Sequence, residues 1–195
     1  PSGDFMTAPE LTHLFGKTIA VQCAQILTTC HHPILFEFGA GSGKLCTDIL
    51  QQLEIMDCLP KAYWILEVSG NLKARQAAWI QETIPHLADK IIWINGWPEA
   101  PFEGVIIANE VLDAMPVHRF LHTEEGLFES FVQFNPNDND SLSECFKPMT
   151  PSTLLSYIQD VLPFYPLPYQ SEVNLCIPDW VANCAKVLKK GLLLL

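Results

Sequence analysis

Apolar residues gather along the chain in two kinds of run. Short, nearly unbroken runs bounded by turn residues read as buried strands: residues 34–38, 62–68, 91–94 and 105–108, with Gly191 and the leucines after it beginning a fifth. Between them the spacing turns helical. Leu11, Leu14, Phe15, Ile19, Val21, Ala24, Ile26 and Leu27 predict one largely buried helix, starting at Pro9 behind Thr7 or Ala8 and running to about Cys30. Gly16 inside it costs about 1 kcal/mol against Ala, so close packing against another backbone is expected there. Residues 43–56 predict a second helix. Ser69 caps a third, which runs to about Ile84 and is ended by Pro85. Residues 178–189 predict a later one, whose closing lysines suit its dipole. Strands alternating with helices are the pattern of an α/β, doubly wound, Rossmann-like sheet.

After Pro116 the pattern changes. Residues 117–122 and 127–134 read as two strands across a Glu-Glu-Gly turn, a hairpin and not another parallel unit. Residues 135–141 form a polar loop. A helix starts at Pro151-Ser152-Thr153 and runs to about Leu162, and prolines keep 164–169 extended. The chain therefore reads as a single domain with a β-hairpin and helical insertion over 117–176.

The chemistry concentrates where the first strand meets three alternate glycines, Gly39, Gly41 and Gly43, with the next helix behind them. A dinucleotide turn needs G-x-G-x-x-G, but the third Gly comes one residue early and Lys44 holds its place. A phosphate-cradling P-loop fails too: Phe38 stands at its first Gly and Leu45 where Mg²⁺ needs a hydroxyl. Acidic-x-G-x-G-x-G remains, and it is similar to motif I of the class I S-adenosylmethionine methyltransferases. Glu37 suits such a ligand, which carries an ammonium and a sulfonium and no phosphate. A purely structural glycine turn is the plain alternative.

Glu67 ends the second strand about two dozen residues on, where a carboxylate can accept from both ribose hydroxyls; a surface Glu is its alternative. The turn Asn95-Gly96-Trp97-Pro98 places Trp97 either over an adenine or in the core. The fourth strand ends in Asn109-Glu110-Val111-Leu112-Asp113-Ala114-Met115-Pro116. Glu110 and Asp113 share a face if this segment makes one helical turn, with the Asn109 amide beside them. His31 and His32 lack a third ligand, His118 and His122 would share a face but read as structural or surface residues, and no metal site is expected.

Composition narrows the function. At 195 residues one domain is the default, and 49% apolar residues suffice for a core. A net charge of −11 argues against a nucleic-acid partner and favours a cationic substrate such as a Lys or Arg side chain. Seven cysteines without a C-x-x-C read as thiols in a reducing compartment. No apolar run approaches the roughly 20 residues of a membrane span. A start without Met and an end on an apolar strand suggest pieces of a longer protein at both ends.

Several blocks agree with one family. Gly3-Asp4-Phe5-Met6-Thr7-Ala8-Pro9-Glu10-Leu11 with Phe15-Gly16, then residues 37–45, then Tyr63-Trp64-Ile65-Leu66-Glu67-Val68-Ser69, then residues 109–117 resemble the MidA family in order and rough spacing. That family includes the mitochondrial complex I assembly factor that methylates a protein arginine. Tyr169-Gln170-Ser171-Glu172-Val173 is also similar. A tyrosine-containing segment ahead of the first block and an Asp-Tyr-Gly block after Leu195 are absent.

The resemblance implies a class I methyltransferase using S-adenosyl-L-methionine, with a protein arginine as the acceptor of the mitochondrial members. It implies cofactor contacts from Glu37, Gly39, Ala40, Gly41, Gly43, Glu67, Val68, Ser69, Gly96, Trp97 and Asn109. It implies acceptor-side contacts from Asp4, Phe5, Thr7 and Pro9, and catalytic carboxylates Glu110, Asp113 and Glu172. A homodimer is an expectation, as is a cytoplasmic location for a bacterial member or the mitochondrial matrix for a eukaryotic one. Two other readings stand beside this: an S-adenosylmethionine-binding assembly scaffold without catalysis, and a NAD-dependent oxidoreductase.

Overall fold

In the computed structural model of the chain, which describes residues 7–136, 141–160 and 162–195, the chain divides into two units. One takes the chain up to Ala114 together with Trp180–Leu195; the other is Met115–Asp179. The first unit contains helix α1 (Ala8–Leu11), helix α2 (His13–Leu27), strand β1 (Ile34–Phe38), helix α3 (Lys44–Ile55), strand β2 (Ala62–Leu66), helix α4 (Gly70–Thr83), strand β3 (Ile91–Ile94) and strand β4 (Phe102–Ile107). The second holds β5 (His118–Thr123), β6 (Gly126–Asn135), β7 (Ser141–Pro148), α5 (Thr153–Ile158) and β8 (Tyr169–Val173). The chain closes with α6 (Ile177–Val187) and β9 (Leu188–Leu194).

In the first unit all strand pairs are parallel, in the order β3-β2-β1-β4-β9. The central β1 is buried along its whole length, which explains a run that is apolar except for Glu37. Leu35, Tyr63, Ile65, Val105 and Ile107 face one way and pack with Ala20, Cys23, Leu27, Ile49, Leu53 and Ile80 of the helices. Phe36 and Phe38, on the alternate positions, face an aromatic layer: Phe38 lies 5.2 Å from both Trp97 and Trp180, and Trp64 lies 5.3 Å from Phe102. The strand order runs outward from β1 to β3 on one side and from β4 to β9 on the other. The crevice between the carboxyl ends of β1 and β4 is thus the switch point at which such sheets bind ligands.

Three local features differ from the sequence expectation. The first helix is two. Thr12 takes an extended conformation (φ −161°, ψ 145°), and its hydroxyl accepts the Leu14 N–H at 3.2 Å, so a local cap competes successfully with helix continuation. Gly16 does meet a close neighbour, but it is the Asp48 side chain of α3 and not a backbone: a Cβ at Gly16 would stand 2.4 Å from the Asp48 Cβ. The final lysines are not all helical. Lys189 and Lys190 belong to β9, where Lys190 pairs in register with Glu103, and only Lys186 remains in the last turn of α6.

Gly16 supplies a stability test. Gly16→Val forces α2 off α3 or displaces the buried Asp48, whose Oδ1 bonds the His13 ring at 2.6 Å. Overpacking of this kind costs roughly 1–3 kcal/mol. A urea midpoint indistinguishable from wild type at unchanged slope would refute the packing argument.

The second unit is an antiparallel sheet in the order β7-β6-β5-β8. The expected hairpin is present, with Phe120 paired to Glu129 and Thr123 to Gly126. Beyond it lie β7 and β8, which local patterning did not show. Phe120, Leu154 and Ile158 form its buried cluster, and Ser152 caps α5 by accepting the Leu155 N–H at 3.3 Å. Of the expected polar loop, residues 137–140 lie outside the described residues.

Candidate functional site

At the carboxyl end of β1 the chain turns under itself. The Gly39 N–H donates to the Leu66 carbonyl at 3.0 Å, tying the loop to the end of β2, and the Gly43 N–H donates to Ala40 O at 2.7 Å. Gly39 and Gly41 take φ of +62° and +53°, which L side chains rarely adopt, and a Cβ on either would meet open space among the described residues. Across the crevice the Ala108 N–H donates to Leu194 O at 2.9 Å, so pairing runs one residue past β4 and the chain leaves the sheet at Asn109. Glu110 follows with φ +50°, and a 3₁₀ turn (Leu112–Ala114) comes next.

These ends enclose a cavity of about 180 Å³. It brings together Glu37, Gly39, Ala40, Gly41, Asn109 and Glu110, with Thr7 and Pro9 from the N-terminal arm. Three further lining residues, Glu10, Ser42 and Leu45, were not expected. The Glu10 Oε1 accepts the Ser42 hydroxyl at 2.5 Å, and its carbonyl accepts the Lys44 ammonium at 3.2 Å.

The other expected residues lie elsewhere. Glu67 is buried just past β2, its Oε1 accepting the Ser69 N–H at 2.9 Å and its Oε2 the Gln76 amide at 3.1 Å. Ser69 also caps α4 through the Leu72 N–H at 3.3 Å, as expected. Val68 is exposed, and Gly43 is the N-cap of α3. Gly96 and Trp97 line a separate depression of about 530 Å³ with Trp64, Ile94 and Asn95, while the Trp97 ring also packs against Phe36 and Phe38. Asp113 is exposed on the 3₁₀ turn and does not line the 180 Å³ cavity. Glu172 is an exposed residue of β8, in register with Arg119 of β5. Asp4 and Phe5 lie outside the described residues.

Glu37 sets the electrostatics of the cavity. It is 2% exposed, and its Oε2 accepts the Tyr63 hydroxyl at 2.8 Å. Burial pushes its carboxyl up from the ordinary 4.5 to about 7; the Tyr63 bond pulls the other way, and the nearby Glu67 charge adds to the rise. A carboxyl whose pKa rises on folding favours the fold most below its unfolded value and loses that advantage as pH climbs through the folded one. For Glu37 the window is about 4.5 to 7, and at about 1.4 kcal/mol per pKa unit it spans roughly 3 kcal/mol. Urea unfolding should therefore show wild type losing stability relative to Glu37→Gln between pH 4.5 and pH 8. Parallel profiles for the two proteins would rule out a buried, titrating Glu37.

Among the described residues the lining includes three acidic side chains (Glu10, Glu37 and Glu110) and neither Lys nor Arg. Together with the side-chain-free cradle at Gly39 and Gly41, this suits a ligand carrying positive charge. It is a poor match for the pyrophosphate of a dinucleotide. Among the described residues no helix is long and apolar enough to cross a membrane.

Comparison with known proteins agrees with this geometry. The profile of the family described as "Putative S-adenosyl-L-methionine-dependent methyltransferase" matches residues 18–195. A mouse relative, "Protein arginine methyltransferase NDUFAF7, mitochondrial", is 29% identical over 165 residues, covering 72% of this chain and 38% of the relative. The Caenorhabditis elegans homologue of that protein is 30% identical over 149 residues, 67% and 35% of the two chains. A crystal structure from Burkholderia thailandensis with bound S-adenosyl-homocysteine superposes with a TM-score of 0.86 at 32% identity, covering 96% of this chain and 47% of that one. The chain thus spans less than half the length of these relatives.

Proposed function

The chain belongs to the MidA family of S-adenosyl-L-methionine-dependent methyltransferases, and from that premise we propose that it methylates a nitrogen of a protein arginine. The observation that carries the reading is the acidic, glycine-floored cavity between the ends of β1 and β4. The arginine acceptor draws support from relatives called protein arginine methyltransferases and from the anionic lining.

The cofactor, when bound, supplies a methyl group on a positively charged sulfur, open to in-line displacement by a lone pair. Gly39, Ala40 and Gly41 leave backbone and open space for its amino-acid part, with Gly43 starting α3 behind them. Glu37 answers its cationic groups. Glu67, with Val68 and Ser69 beside it, takes the ribose hydroxyls; Gly96 and Trp97 take the base; Asn109 closes the crevice.

An arginine side chain, with a pKa above about 12, is a poor target for a general base. A carboxylate instead grips the guanidinium through paired N–H bonds and concentrates its charge, so that one nitrogen is presented to the methyl group; N–CH3 would form as S–CH3 breaks, leaving S-adenosylhomocysteine, and the methylated nitrogen would lose one proton to solvent. Glu110 is assigned that grip, with Asp113 as a further carboxylate of the acceptor side. Thr7 and Pro9 line the acceptor's approach. Residues 117–176, inserted in the chain directly after this segment, serve acceptor recognition. Alignment of the reacting atoms can supply about 7–11 kcal/mol of the barrier reduction.

The test is labelled S-adenosylmethionine incubated with the full chain and an extract of cells lacking the gene. A labelled protein carrying methylated arginine is expected. Cofactor binding without a labelled protein would favour the scaffold reading, and label on another residue would replace the acceptor.

A further inference from the structure

We infer that Gln76 is a positioning residue, which locks the Glu67 carboxylate and the Gly41 loop to one another and thereby sets the affinity for a ribose-bearing ligand. The inference rests on the cofactor reading given above. Gln76 sits on the second turn of α4 and is completely buried. Its Oε1 accepts the Trp93 indole N–H at 2.8 Å. An indole nitrogen can only donate, so the amide oxygen is the atom that must face it. The amide nitrogen is thereby turned toward two acceptors, the Gly41 carbonyl at 3.0 Å and Glu67 Oε2 at 3.1 Å. One amide thus joins the glycine loop, the end of β2 and β3, with its orientation fixed by the chemistry of its partners.

The consequence for Glu67 is specific. Each carboxylate oxygen receives one protein donor, the Ser69 N–H on Oε1 and the Gln76 amide on Oε2. This arrests rotation of the carboxylate. It leaves further lone-pair capacity on both oxygens, which the vicinal hydroxyls of a ribose would use. Gln76 also lies against Gly43, where an added Cβ would stand 3.5 Å from the Gln76 Cα. Loop and carboxylate, separated by more than twenty residues in sequence, are therefore set by the same side chain.

Calorimetric titration of the full chain with S-adenosylhomocysteine, and with its 2′-deoxyribose counterpart, tests this. Gln76→Met removes all three hydrogen bonds at nearly constant volume. It should weaken S-adenosylhomocysteine binding by roughly tenfold and reduce the preference for the ribose over the deoxyribose ligand. In a Glu67→Ala background the same substitution should add less than about twofold, because its effect passes through Glu67. Trp93→Phe, which removes only the donor that orients the amide, should shift the ribose preference in the same direction by a smaller factor, and it keeps the test open if Gln76→Met fails to fold. Variants that melt earlier yet keep the wild-type ribose preference, with losses that multiply independently of Glu67→Ala, would overturn the assignment and leave Gln76 a packing residue. Wild-type protein that binds neither ligand would overturn the cofactor reading instead.

Discussion

Glu110→Gln is expected to leave S-adenosylhomocysteine affinity within about twofold of wild type while lowering methyl transfer by roughly 10²-fold or more, the scale on which a pre-aligned charged or hydrogen-bonding group acts in catalysis. Gln keeps the shape and one acceptor of Glu but loses the charge and the paired acceptance that a guanidinium needs. The position adds a second argument. Glu110 holds φ +50°, a conformation that costs a non-glycine residue of order 1–3 kcal/mol. Glu110→Gly relieves that strain and should fold at least as readily as Glu110→Gln while remaining inactive. The pair separates loss of fold from loss of function: two soluble, cofactor-binding proteins without transferase activity. Wild-type turnover in Glu110→Gln would remove this residue from the chemistry.

Elements whose signals are local were legible in the sequence. β1 and β3 span the residues that their apolar runs mark: β1 is buried throughout with Glu37 its one polar residue, and β3 is wholly apolar although it lies at the sheet edge with Ile92 exposed. Ser69 was legible as a cap because a cap is a contact over three residues. The cavity residues Glu37, Gly39, Gly41, Asn109 and Glu110 were legible for a related reason: each lies at or within three residues of a strand end, and strand ends define the crevice. What was missed depends on distant pairing. β8 is held by β5 across some fifty residues, His118 lying opposite Val173, and nothing local in Tyr169-Gln-Ser-Glu-Val marks that partner. Gln76 was invisible for the same reason. In the run Lys73-Ala-Arg-Gln-Ala it reads as one more solvated helix position, and only the fold reveals that it is buried against three acceptor and donor groups. Glu10 belongs here too, because nothing local in Pro9-Glu10-Leu11 marks a side chain that lines the cavity and meets Ser42.

Gly39→Val should abolish cofactor binding, and Gly39→Asn shows why. Two effects are folded together at this position. An L residue at φ +62° costs about 1–2 kcal/mol in the fold, and its Cβ enters space that is open among the described residues. Valine incurs both, with branching that makes the left-handed conformation worse. Asparagine tolerates that conformation, and the Gly39 N–H bond to Leu66 O is a backbone bond that either variant retains. If the open space is where the cofactor lies, Asn should keep near-wild-type stability yet lose roughly 10²-fold in S-adenosylhomocysteine affinity, about 3 kcal/mol. If the glycine serves only the turn, Asn should bind as wild type does and Val should lose affinity only as far as it loses fold. A stable Gly39→Asn with unchanged affinity would therefore separate the glycine bend from the cofactor and move the binding site away from the β1–β4 crevice.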